Sequence, residues 1–164
     1  MDIYIENKTF NEIRVGDTAH ITHTLTQRDI QLFAVMSGDV NPAHVDEEYA
    51  RNDMFHKIIA HGMWGGSLVS TVLGTLLPGP GTIYLGQTFR FLAPIAIGDT
   101  ITVQVTVKEK YAEKHHLKLD CVCSNQEGTH VITGEAEVIA PIEKVRRKRV
   151  NLPDIELKER SKNE

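Results

Sequence analysis

The sequence predicts an α+β domain in which one buried helix is surrounded by antiparallel strands. Three observations carry this. Residues 62–77 have helix length and are apolar or small on every side (Trp64, Leu68, Val69, Val72, Leu73, Leu76, Leu77), which is the pattern of a helix enclosed by protein. Downstream segments alternate apolar and polar residues with a period of two, as half-buried strands do. Those segments also follow one another too closely for helical crossovers, so their pairing is antiparallel.

In chain order, residues 17–24 make a short first strand. Thr26-Gln27-Arg28-Asp29 reads as a capping box, with Thr26 at the N-cap and Asp29 three residues on. Ile30, Phe33, Ala34 and Met36 then supply the apolar face of a helix that stops at Ser37-Gly38. A second short helix is expected over 47–52. In the buried helix, Gly62, Gly65, Gly66 and Gly74 each cost roughly 1 kcal/mol of propensity against Ala. Close packing of the helix backbone against a sheet is the compensation this predicts. Pro78-Gly79-Pro80-Gly81 ends the apolar run well short of the roughly 20 residues a membrane span needs. Strands follow at 83–92 and, after a Gly98-Asp99 turn, at 101–107, where alternation is strict. Leu117, Leu119, Cys121 and Cys123 line one face of the next strand, with Val122 breaking the polar series opposite. Residues 125–128 connect it by a hairpin to Ile132, Ala136 and Val138. The two cysteines therefore read as small core residues, not as a disulfide or half a zinc site.

The 164 residues suit one domain. With 41% hydrophobic and 24% charged residues, wholesale disorder is excluded. The net charge of −4 argues against a nucleic-acid partner. The start of the chain carries no signal-peptide hydrophobic region, and with unpaired thiols this makes the cytoplasm the expected location. Charge divides the chain: residues 1–142 hold 10 Lys and Arg against 17 Asp and Glu, whereas 143–164 hold 8 against 5. The expected organisation is a domain over 1–142 and a basic, solvated tail or linker over 143–164.

One segment holds unusual chemistry. Asp39, Asn41 and His44 fall within six positions, in a loop after a helix. Pro42 fixes its own φ and biases Asn41 away from helix. A loop stiffened this way can hold a carboxylate and an imidazole at a set separation, where they position a water and move its proton. The same residues also suit an Asx-type turn with a surface histidine, and residue types alone leave both open. Gly62 opens the buried helix, where free N–H groups and the positive end of the dipole lie. A ligand oxygen approaching that backbone and tight helix–sheet packing explain this glycine equally well.

Residues 33–50 resemble the hydratase signature of the MaoC-like, (R)-specific enoyl-CoA hydratase family. The resemblance continues through Ile59-Ala60-His61-Gly62-Met63, residues 77–87, Gly98-Asp99 and Gly134-Glu135-Ala136, and covers roughly residues 8–140. The chain looks most like the N-terminal domain of bacterial fusions that join such a hydratase to a phosphate acetyltransferase domain. The resemblance implies a hot-dog fold, a curved antiparallel sheet wrapped around one long helix, and a homodimer. It implies hydration of a trans-2-enoyl-CoA to the (R)-3-hydroxyacyl-CoA. Asp39 and His44 take the catalytic positions, with Asn41 fixing the site and the Gly62 N–H receiving the thioester oxygen. Ser70, Leu73 and Val138 are carried over as acyl-pocket candidates. Neither a metal nor another cofactor is implied, because coenzyme A is part of the substrate. An acyl-CoA thioesterase of the same superfamily and a non-catalytic acyl-CoA-binding module are the competing functions.

Overall fold

The computed structural model describes residues 1–160. Its elements are β1 (Tyr4–Glu6), β2 (Thr18–Thr24), α1 (Gln27–Ser37), α2 (Pro42–Val45), α3 (Glu47–Asn52), α4 (Gly62–Thr75), β3 (Ile83–Phe91), β4 (Thr100–Tyr111), β5 (His116–Ser124), β6 (His130–Ile139) and β7 (Arg146–Lys148). The capping box at Thr26 works as the sequence predicts. Thr26 Oγ1 accepts from the Asp29 N–H, and the Asp29 carboxylate accepts from the Thr26 N–H at 2.8 Å. Burial works against the Asp29 charge, but the hydrogen bonds from Thr26 and His23 outweigh it and hold the carboxyl below its ordinary range. Gly38 closes the helix at a left-handed φ of 77°, its N–H donating to the Ala34 carbonyl, a geometry that favours glycine.

Five strands form an antiparallel sheet in the order β2-β4-β5-β6-β3. Helix α4 lies against it and sends Trp64, Val69, Val72 and Leu73 into a core shared with Val103, Val105, Leu117, Leu119 and Val138. Its glycines show why the low propensity is tolerated. A Cβ on Gly65 would overlap the Ile132 side chain, and one on Gly66 would lie 2.9 Å from the Phe89 ring. Gly74 is different: a Cβ there would meet nothing within 4 Å, so packing does not require that glycine. Cys121 and Cys123 are unpaired and buried among the core residues. Burial pushes their thiols up to about 11 and about 12.

Three local features depart from the sequence-based expectation. Strand β4 runs four residues past Val107, because a register shift between Val107 and Glu109 resets the in–out alternation that identifies a strand. The loop expected after Asn41 contains the short helix α2. The tail after residue 142 is largely exposed, as expected, but is not free: Arg146–Lys148 form β7, which pairs with β1 through Tyr4↔Lys148, Ile5↔Arg147 and Glu6↔Arg146. Lys144 bridges Glu6 and Glu12, and Lys148 reaches Asp2. Residues 149–160 continue without regular structure, and the last four residues of that tail lie outside the described ones. Among the described residues, no helix is long and apolar enough to cross a membrane.

Candidate active site

The turn after α1 is built by its own side chains. Ser37 Oγ donates to the Phe33 carbonyl and accepts from the Asp39 N–H. Asp39 Oδ1 accepts from the Asn41 N–H at 3.0 Å, and Asn41 Oδ1 accepts from the Ala43 N–H at 3.1 Å. Asn41 thereby caps α2, with Pro42 in its first turn, where a missing N–H costs nothing. The Asx turn expected of this segment is present, but His44 is half-buried instead of at the surface, and the turn does not displace the chemical reading. The single turn of α2 carries His44 back toward the start of α4.

There His44 Nδ1 lies 2.8 Å from the Ile59 carbonyl. A carbonyl only accepts, so the proton sits on Nδ1 and the Nε2 lone pair is free. His61, the residue preceding α4, is 3% exposed. Its Nε2 donates to the Asp39 carbonyl at 3.0 Å, and its ring stacks on that of His44 with centroids 4.0 Å apart and planes at 30°. Side-chain donor atoms of Asp39, His44 and His61 all lie within 4.8 Å of one another. Asp39 is exposed, His44 half-buried and His61 buried.

That spacing raises the question of a metal ion, and the donor set fits one poorly. One nitrogen of each imidazole meets a backbone carbonyl, which a metal site also tolerates, so the ring geometry decides. Rings stacked 4.0 Å apart with planes at 30° keep their remaining lone pairs in well-separated planes, which hinders both from converging on one ion at the roughly 2.1 Å of a metal–nitrogen bond. The arrangement suits a bridging water better, with the carboxylate and His44 Nε2 both accepting from it.

Beside the histidines lies a cavity of about 290 Å³ lined by His44, Phe55, Ala60, Gly62, Phe91 and Ile132, among others. The N-terminus of α4 opens onto it. No side chain caps this end among the described residues, which leaves backbone N–H groups available to a ligand oxygen. Phe91 packs so closely that a Cβ on Gly62 would come 2.9 Å from its ring. A larger hollow of about 650 Å³ lies by Leu85, Tyr111, Lys114 and His116. It touches none of the residues selected from sequence and only a single 3-10 turn, Glu113–His115, begins there, so the smaller cavity is the better site.

The structure thus gathers Asp39, Asn41, His44 and Gly62 at one place. The acyl-pocket candidates lie elsewhere: Leu73 and Val138 are buried in the core, and Ser70 is exposed on α4. None of the three lines the cavity. His61 and Phe91 are the members that sequence reasoning did not select. The only signal for His61 was its place immediately before the glycine that opens the buried helix.

Residues 12–126 match the family described as MaoC like domain. The (R)-specific enoyl-CoA hydratase of Rhodospirillum rubrum is 46% identical over 132 residues, spanning 80% of this chain and 91% of that protein. The 3-hydroxybutyryl-CoA dehydratase of Methylorubrum extorquens is 41% identical over 132 residues, 80% of this chain and 83% of that protein. The solved structure of the R-hydratase PhaJ1 from Pseudomonas aeruginosa, unliganded, superposes with a TM-score of 0.91 at 44% identity, covering 95% of this chain and all of that one.

Proposed function

The chain belongs to the MaoC-like domain family and has its hot-dog fold, and from that premise we propose that it hydrates trans-2-enoyl-CoA reversibly to (R)-3-hydroxyacyl-CoA. The observation that carries this is the meeting of Asp39 and His44 beside a cavity onto which an uncapped helix N-terminus opens. The relatives named as an (R)-specific enoyl-CoA hydratase and a 3-hydroxybutyryl-CoA dehydratase support the same chemistry.

In the proposed mechanism a water donates one hydrogen bond to the Asp39 carboxylate and one to His44 Nε2. One of its lone pairs faces C3 of the substrate. The thioester withdraws electron density from C3, and the Gly62 N–H stabilises the enolate oxygen that develops. One such preorganised donor is worth about 3 kcal/mol in the transition state. As the C3–O bond forms, Asp39 takes the water proton and then returns it to C2, so the enzyme ends in its starting state. His44, oriented by its hydrogen bond to the Ile59 carbonyl, holds the water. No step calls on a metal or a redox cofactor, and coenzyme A arrives with the substrate.

A homodimer is part of this proposal. Strand β3 is an edge of the sheet, and Ile83, Leu85 and Phe91 on it are each slightly over half exposed. An apolar sheet edge is a surface that a second copy covers well. An acyl-CoA substrate and high-pKa buried thiols fit a cytoplasmic location. The reaction is tested by loss of the conjugated-enoyl absorbance of crotonyl-CoA, with stereochemical analysis of the product, and the dimer by light scattering. An (R) alcohol is expected, at twice the chain mass. Release of free thiol without loss of the enoyl chromophore would instead indicate a thioesterase.

A further inference from the structure

We propose that His61 is a positioning residue that locks the Asp39–His44 pair, its imidazole held in the opposite tautomer to that of His44. The inference rests on the hydratase reading above for its catalytic consequence, but its structural basis is independent of it. Because His61 Nε2 meets the Asp39 carbonyl at 3.0 Å, its proton is on Nε2. Because His44 Nδ1 meets the Ile59 carbonyl at 2.8 Å, the proton of His44 is on Nδ1. One ring thus ties down the backbone of the acidic residue and, through the 4.0 Å stack, supports the face of the other imidazole. Phe33 packs against the same ring, with centroids 4.9 Å apart. Asp39 follows α1 and His44 lies on α2, so a residue at the head of α4 ties the turn that carries both to the docked helix.

Two further observations separate this role from packing or capping. His61 Nδ1 is buried with no hydrogen-bond partner among the described residues. No contact among these residues therefore accounts for this second ring nitrogen, and an apolar side chain of the same size would pack in the same space. His61 also stands at the helix N-cap yet makes no side-chain capping bond, where Ser or Asp would serve better. What this imidazole provides and those alternatives lack is a ring that stacks together with a donor that reaches across to Asp39.

Two measurements test it. Long-range 1H–15N correlation spectra of the histidines in the wild-type protein should show His61 as the Nε2–H form and His44 as the Nδ1–H form. A proton on His61 Nδ1 overturns the proposal whether or not any variant folds. Crotonyl-CoA hydration is then compared in His61→Phe, which keeps a ring and loses the donor, and His61→Gln, which keeps a donor. A geometric slip of about 1 Å can cost on the order of 100-fold, so His61→Phe should lose about that in kcat with a far smaller change in KM, the ring that borders the cavity being kept. His61→Gln should retain clearly more turnover than His61→Phe. Wild-type kcat in His61→Phe, equal losses in both variants, or an effect on KM alone also overturns it. Failure of the wild-type protein to hydrate any enoyl-CoA would count against the hydratase reading, and the tautomer measurement would still decide this one.

Discussion

Replacing Asp39 by Asn tests the proposed chemistry with little structural disturbance. The turn at this position depends on Asp39 Oδ1 accepting from the Asn41 N–H and on the Asp39 backbone carbonyl accepting from His61. An amide oxygen can make the first bond, and the second involves only the backbone. Asp39 is exposed, so no core packing is lost. Stability should therefore stay within about 0.5 kcal/mol of wild type, a shift of about 2 °C or less in Tm. What the substitution removes is the basic carboxylate. Positioned acid–base groups contribute roughly 100- to 10,000-fold, and the lower figure already corresponds to about 2.7 kcal/mol of barrier at 1.36 kcal/mol per decade. The assay is the initial rate of enoyl absorbance loss at saturating crotonyl-CoA, with KM measured alongside. The expected result is kcat reduced at least 100-fold, with KM altered little because the amide keeps the shape of the carboxylate and loses only its proton transfer. A kcat within tenfold of wild type, in protein of unchanged Tm, refutes the assignment of Asp39 as acid and base.

Two predictions concern the scaffold. A Cβ on Gly134 would run into the Thr88 carbonyl oxygen across the β3–β6 pairing. That neighbour is backbone and cannot swing aside, so Gly134→Ala should cost about 3 kcal/mol or more and lower Tm on the order of 10 °C; a Tm near wild type in a thermal melt contradicts this. The second concerns pH. The Thr9 N–H and then the Lys144 ammonium hold the Glu12 carboxyl below its ordinary 4.5. A depressed carboxyl contributes stability above its unfolded value, and that contribution is lost as pH falls through the folded value. Wild type should therefore lose Tm more steeply than Glu12→Gln below about pH 5, the two curves converging in acid; parallel curves would show that Glu12 contributes nothing.

Local signals made much of the fold legible. The capping box placed the start of α1, and the glycine-rich apolar run identified the helix around which the sheet packs. Alternation marked β4 only as far as Val107, because the register shift beyond it moves successive side chains to the other face. The β1–β7 pairing left no such trace. Three residues cannot display a period, and their partners lie at opposite ends of the chain. The complementary charges of Glu6 and Glu12 against Lys144 were visible, but not that they meet. Helix α2 is a different case, since Asn41-Pro42 carries an N-cap and first-turn signal that could have revealed it. Asp39 and His44 were legible because the chain brings them together within one turn. His61 was not, because its bond to Asp39 spans 22 residues and exists only once α4 is docked. Spacing on a helix could place Ser70 and Leu73 near one another, but it could not show that one faces solvent and the other the core.

Gly62 allows the two explanations of a glycine to be separated, since both are physically available there. Were the glycine present only for packing, a methyl group would press on Phe91 and lower stability while leaving turnover intact. The contact argues for the opposite balance. The nearest atoms are at the end of a ring, 2.9 to 3.3 Å from the added Cβ, and Phe91 is 54% exposed, so the ring can turn away. Alanine also gains up to about 1 kcal/mol of helix propensity over glycine. Gly62→Ala should therefore melt within about 3 °C of wild type. Its methyl group, however, stands at the cavity wall where a thioester oxygen must reach the backbone N–H, and displacing that oxygen from a preorganised donor should cost at least tenfold in kcat. Preserved turnover with a lowered Tm would assign the glycine to packing and move the oxyanion donor elsewhere. Preserved Tm with lost turnover would mean that the helix begins with glycine to leave its backbone open to the substrate.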